Sequence, residues 1–328
     1  MKKLLIATTA LTLVAGAASA DVTLAGSGYF GMKYDGSNTS TTGSAKKTQL
    51  IDRFQIDIKA SKTTDSGLTF HGKFRIRSNA GQTGPVIQNN NATNPLITDA
   101  NGNKYVLSGT TTVNAGQVGV TAGGLDVSVG NVSDAIDALT LYWNSEIGLC
   151  GCGGETLQNG IVGYSSTGGG NNGVLVTYTM GDLVVRGGYQ QTGGQVNGAK
   201  NEASASVAYK MGALSFELGY LNQQGSGNAS TAVVEYALGN SNIGLAYGHN
   251  SYDAYGNIVT LYGNTTFGAT TVQAFVSQSS KLPSVGGTKT TYGVGASYDL
   301  GSGAAIVGSV RQQSTKKAYA DLGVKFAF

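Results

Sequence analysis

Three of the five arginines in this chain, Arg53, Arg75 and Arg77, fall in two neighbouring segments and share a side-chain parity with Lys73 and His71. In a strand, alternate side chains point the same way, so these groups would form one basic strip. Crowded like charges repel, and a water-soluble fold would tend to disperse them. In a water-filled lumen they stay hydrated, and an opposed anionic strip would offset the repulsion. Such a strip makes no bonds; it orients and sorts ions and polar solutes. Screening limits its reach to about 8 Å at physiological salt, so it matters only at a narrowing. The other reading scatters the basic residues along a wall away from any constriction.

Covalent chemistry finds little support. The two histidines, His71 and His249, are far apart in sequence, and neither a nucleophile elbow nor metal-ligand spacing accompanies them. An enzyme is therefore not expected. Cys150-Gly151-Cys152 is open to three readings: a small disulfide ring in an oxidising compartment, free thiols, or a metal site without histidine partners.

The elements that must position these residues have period two. Phe54, Ile56, Ile58 and Ala60 alternate with Arg53, Gln55, Asp57 and Lys59. Leu68, Phe70, Gly72, Phe74 and Ile76 alternate with Thr69, His71, Lys73, Arg75 and Arg77. Leu214 to Tyr220 and Thr291 to Leu300 repeat the pattern, and no stretch shows a comparable helical stripe. Short turns at residues 64–67, 122–124, 181–182, 211–213, 239–242, 267–269 and 301–303 alternate with longer polar connections. This predicts an all-β, transmembrane antiparallel β-barrel of about sixteen strands, with short turns at one end and long loops at the other. An even strand count puts both termini on the short-turn side, where Asp21 and Phe328 would meet. Pro85, Pro95 and Pro283 all fall in the long connections, as a lipid-embedded wall requires. Glu217, Glu235, Arg186 and Arg311 point inward by parity and read as wall residues. Tyr29, Tyr178, Tyr189, Tyr220, Tyr247, Tyr262 and Tyr298 are expected to form interfacial girdles. A soluble β-sandwich would also alternate, but would place more charge on its outer faces.

Composition agrees. Charged residues are 12% of the chain, against 51 glycines and 17 tyrosines. Residues 1–20 read as a signal peptide: Lys2 and Lys3, an apolar run from Leu4 to Ala15, then Ala18-Ser19-Ala20 as the cleavage site. Sec export would leave a chain of residues 21–328. Without Lys2 and Lys3 it carries 19 basic and 18 acidic groups, which argues against nucleic acid as a partner.

The last strand, Leu322, Val324, Phe326 and Phe328 alternating with Asp321, Gly323, Lys325 and Ala327, resembles the sorting signal read by the outer-membrane barrel assembly machinery. With Phe267-Gly268-Ala269-Thr270-Thr271-Val272, Tyr292 to Gly301 and Thr63-Thr64-Asp65-Ser66-Gly67-Leu68, it is similar to general diffusion porins of photosynthetic purple bacteria. That resemblance implies a homotrimer of sixteen-stranded barrels in outer-membrane lipid and lipopolysaccharide, each passing small hydrophilic solutes and ions. It also implies a third external loop folded inward, for which residues 131–172, the longest connection, are the candidate. Apolar residues between Asp134 and Trp143 suit a loop packed on an inner wall; a cap outside the mouth is the alternative. Such a loop would bring Asp134, Asp137 and Glu146 opposite Arg53, Lys73, Arg75, Arg77 and His71, resembling a porin eyelet. Calcium is carried by members of this group at acidic loop sites; Asp99, Asp134, Asp137, Glu146 and Glu155 are the available carboxylates, none of them assigned. A sugar- or phosphate-selective channel is the alternative function, expected to show an aromatic slide or a denser arginine ladder.

Overall fold

The computed structural model describes residues 21–38, 46–80, 86–87, 97–98, 104–106, 109–149, 172–191, 201–225, 227–251, 256–282 and 286–328. The signal peptide, Cys150 and Cys152, Asp99, Glu155, the three prolines and the expected loop from 150 to 171 lie outside the described residues.

Alternating side chains build one continuous antiparallel sheet that closes on itself. Its strands are β1 (Asp21–Asp35), β2 (Thr48–Thr63), β3 (Thr69–Ala80), β4 (Gly109–Val113 and Gln117–Ala122), β5 (Leu125–Gly130), β6 (Asn172–Met180), β7 (Leu183–Gln191) and β8 (Glu202–Met211). They continue as β9 (Leu214–Gln223), β10 (Gly227–Leu238), β11 (Ser241–Asn250), β12 (Asn257–Phe267), β13 (Thr270–Ser279), β14 (Thr290–Gly301), β15 (Ala304–Gln312) and β16 (Ala318–Ala327). The two segments of β4 both pair with β3, so seventeen segments make sixteen wall strands. Three short strands, Val86–Ile87, Ile97–Thr98 and Lys104–Val106, form a separate small sheet.

Closure comes from β1, which pairs with β2 on one side and with β16 on the other. A ring has no open edge, the condition under which a sheet can sit in lipid. Phe328 completes the seam by exchanging backbone hydrogen bonds with Gly26 at 2.7 and 3.0 Å. It therefore meets Gly26 and not Asp21, because β1 runs five residues past the end of β16.

All seven short turns form as expected. Gly181, Gly212, Gly239 and Gly268 take φ between 59 and 62°, the left-handed start of a two-residue hairpin that other residues adopt only under strain.

The alternation sorts the wall. Outward, Phe54, Leu218, Leu245 and Val294 are half exposed; inward stand Ser, Thr, Gly and ionisable groups. A large apolar outer belt with polar groups inside is the reverse of a soluble sheet and fits a lipid exterior. Tyr178, Tyr189, Tyr220, Tyr247 and Tyr298 lie on this outer face. Tyr29 and Tyr262 do not: both are buried on the lumen side, where the ring of Tyr29 carries Arg53 and Tyr262 donates to Glu235. The girdle expectation fails for these two because proximity to a strand end says nothing about the face.

Candidate functional site

The basic strip exists, and it is cross-linked. In β2 and β3, Gln55 stands opposite Arg77 and Asp57 opposite Arg75. Arg75 donates Nε to Asp57 Oδ1 at 2.6 Å and Nη2 to Oδ2 at 3.1 Å. Arg77 donates Nε and Nη2 to Gln55 Oε1 at 2.8 and 2.6 Å, and Gln55 Nε2 donates to Asp57 at 2.9 Å. Arg53 donates Nε to Asn79 Oδ1 at 2.8 Å and lies 5.1 Å from the centre of the Tyr29 ring. Lys73 faces Lys59 across the ladder, and His71 sits 2.7 Å from Asp126 on β5. Register therefore interleaves Arg and Lys with Gln55, Asp57 and Asp126. The carboxylates offset much of the repulsion locally and leave a net positive face of held, planar guanidinium groups.

β4 breaks opposite Arg75. Asn114, buried in the gap, donates its backbone N–H to the Arg75 carbonyl at 2.9 Å and accepts the Arg75 N–H on Oδ1 at 2.6 Å. The break sets the local backbone on which Arg75 is aimed, a common use of strand irregularity. Nothing in the composition around Asn114 marked it beforehand.

Residues 131–149 enter the barrel and run along its inner wall. Gln190 of β7 donates to the Val132 carbonyl at 3.1 Å, and Ser204 of β8 accepts the Ala135 N–H at 3.0 Å. Glu217 of β9 then takes the N–H groups of Thr140, Leu141 and Tyr142 at 2.9, 2.8 and 3.2 Å, around the short 3-10 turn Leu141–Trp143. Glu235 of β10 accepts from Asn144 at 2.9 Å, and Asp321 of β16 accepts the Leu149 N–H at 3.0 Å. Ile136, Leu139, Tyr142 and Ile147 pack with Leu221, Val233, Ala246, Ile258, Tyr262 and Phe275 in an apolar cluster inside the lumen. Burial of each large apolar side chain contributes roughly 1.5–3 kcal/mol. Close approach is allowed where the wall carries glycine: a Cβ on Gly219 would meet Ile136 at 2.8 Å and Leu139 at 3.2 Å. The inward reading of this segment, as far as Leu149, is what the structure has; the external cap is not.

Of the three acids expected on the pore-facing edge, Asp134 is misplaced. It is fully buried, and its Oδ1 accepts the N–H groups of Ile136 and Asp137 at 2.7 and 2.8 Å, capping the loop's own turn. Asp residues commonly turn back on nearby backbone in this way, which parity cannot reveal in a loop. Asp137 and Glu146 are only half buried. Glu217 and Glu235, read as plain wall residues, turn out to be the loop's anchors.

Burial pushes the Asp134 carboxyl up to about 7, with the Asp137 charge adding to the rise and the two backbone donors opposing it. A folded-state value above the ordinary one means the neutral form is favoured in the seated loop. That contribution is complete below the ordinary value near 3.8 and is lost as pH rises toward and through about 7. Acrylamide quenching of Trp143, the only tryptophan, should accordingly be stronger at about pH 8 than at about pH 5. Asp134→Asn, which keeps an oxygen acceptor, should flatten the difference; a difference that persists would place the cause elsewhere.

Of the five carboxylates suggested for calcium, Asp99 and Glu155 lie outside the described residues. Calcium takes six to eight oxygen ligands. Among the described residues no three Asp, Glu, His or Cys side chains converge. Asp134 already spends one oxygen on its own backbone. No step below depends on a metal.

Comparison with known proteins matches residues 7–318 to a family model described as Gram-negative porin. Curated relatives named porin include one from Fuscovulum blasticum, 27% identical over 321 residues, covering 94% of this chain and 100% of the relative. Another, from Rhodobacter capsulatus, is 27% identical over 325 residues with the same coverage. Solved structures of two engineered mutants of Rhodopseudomonas blastica porin superpose with a TM-score of 0.78 at 27% identity, over 94% of this chain and 100% of theirs.

Proposed function

The chain belongs to the Gram-negative porin family, and from that membership we propose how its barrel conducts: small hydrophilic solutes and ions pass by diffusion through a water-filled lumen narrowed by residues 131–149. It is an outer-membrane porin by family. The loop clasp is the observation that carries the reading. Its contacts run from β6 round to β1 and the start of β2, and the remaining arc, β2 to β5, presents the guanidinium ladder to the lumen. Fixed charges facing a narrowed passage orient dipolar solutes and disfavour apolar ones, which disturb the ordered water between them. No reacting group is required of any residue in this scheme, in keeping with a channel family.

Asp137 and Glu146 are the acids proposed for the loop side of the field, opposite Arg53, Lys73, Arg75, Arg77 and His71. The similarity to purple-bacterial porins supports a homotrimer, export by the Sec route with removal of residues 1–20, and insertion by the barrel assembly machinery into lipid and lipopolysaccharide. A sugar- or phosphate-selective channel has less behind it: the relatives carry the plain name porin, and the ladder is interrupted by Gln55 and Asp57. Purified protein added to a planar bilayer should give stepwise, ohmic conductance, and proteoliposomes should swell in small neutral sugars at rates that fall with solute size. A membrane that stays non-conducting, or swelling confined to one sugar, would overturn the reading.

A further inference from the structure

One lumen cavity lies at the end of the ladder, outside the loop's apolar seat. It measures about 340 Å³ and lies between β1, β2, β16 and the end of the described loop, lined in part by Ser27, Tyr29, Arg53, Gln55, Leu149 and Lys325. Two cations face it. Arg53 spends its Nε on Asn79, and Lys325 spends one donor on the Gly148 carbonyl at 3.2 Å. A guanidinium has five donors and an ammonium three, so both keep donors for a ligand. Among the described residues the ion pairs are His71–Asp126 and Arg75–Asp57, and neither Arg53 nor Lys325 forms one with a described carboxylate. Glu146 and Asp321 lie within electrostatic reach of Lys325, as does Arg53 itself. Asp321 is committed to the Leu149 N–H. Tyr29 and Leu149, both buried in a small apolar cluster with Ile51 and Val307, give the cavity an apolar floor.

Two cations with donors to spare fit a small organic carboxylate, whose head would bridge Arg53 and Lys325. We infer that this cavity is a transient carboxylate-binding subsite on the diffusion path, one that slows such anions without excluding others. The inference rests on the open-channel reading above. Its probe is butyrate, added during single-channel recording in potassium chloride. The native channel should show concentration-dependent reduction of chloride current by butyrate. In Lys325→Gln and in Arg53→Gln the half-blocking concentration should rise about tenfold, the loss of one hydrogen bond to a charged group. Lys325→Arg should restore block, which separates a binding role from a folding defect. Equal block in Lys325→Gln and native protein would overturn the subsite, as would a native channel that butyrate does not affect. A protein that carries no current at all would instead refute the channel reading.

Discussion

Replacing Glu217 with alanine is expected to release the loop from the barrel wall. Glu217 accepts three consecutive N–H groups, of Thr140, Leu141 and Tyr142, and is itself almost fully buried. A hydrogen bond to a charged acceptor contributes about 1.5–3 kcal/mol, and a buried donor left without a partner adds its own desolvation cost. Losing the set should raise the unseated fraction by about a hundredfold or more. Single-channel current should become larger and noisy, and chymotrypsin should cut near Leu139 to Trp143, a stretch the native lumen protects. Glu217→Gln retains an oxygen acceptor and should fall between. The backbone ladder of the sixteen wall strands does not run through the Glu217 side chain, so the barrel should keep its strand content. A variant with native conductance and native protease resistance would show that Glu235, Asp321 and the apolar cluster hold the loop without it.

The neighbouring position carries the second large effect, on a different property. Leu218 follows Glu217 in β9, yet its side chain is 54% exposed on the outer face while Glu217 is 4% exposed inside. Leu218→Arg is expected to destabilise the folded barrel in vesicles by roughly 2–4 kcal/mol, the cost of arginine on the lipid face at mid-membrane. Urea titration of the vesicle-inserted protein would read this as a lower midpoint. Leu218→Ala should cost far less, because it removes apolar contact without bringing a charge into lipid. An arginine variant as stable as the native protein would mean that β9 does not face lipid there.

Adjacent residues with such different expected outcomes show why the wall was legible from sequence. Side-chain parity in a strand is fixed by geometry, so Leu218, Phe54 and Val294 could be assigned outward without knowing what lay beside them. The turns were equally readable, since Gly181, Gly212, Gly239 and Gly268 supply the backbone conformation a tight hairpin needs. Legibility failed where side-chain partners decide. Asp57 was visible as an inward residue, but its pairing with Arg75 depends on β2–β3 register. Asp134 has the composition of an eyelet acid and the position of a turn cap. Tyr29 and Tyr262 look like girdle residues only when nearness to a strand end is read without the face. Asn114 has no periodic signature at all, because it belongs to an interruption of the strand. Glu217 and Glu235 were placed on the correct face, but an acceptor for loop N–H groups cannot be distinguished from a pore-lining charge until the loop's path is known.

The central claim is that the β2–β3 ladder sets the field at the narrowed passage. Reversal potential across a potassium chloride gradient, measured on native protein and on the Arg75→Gln, Arg77→Gln double variant, tests it most directly. Removing two guanidinium groups also strips Asp57 of its partner, so both changes act in the same direction. The account predicts a shift of the double variant toward cation preference, with the opposite shift in Asp57→Asn. A reversal potential unchanged in the double variant would contradict it and place the ladder on a stretch of wall that ions pass without sensing.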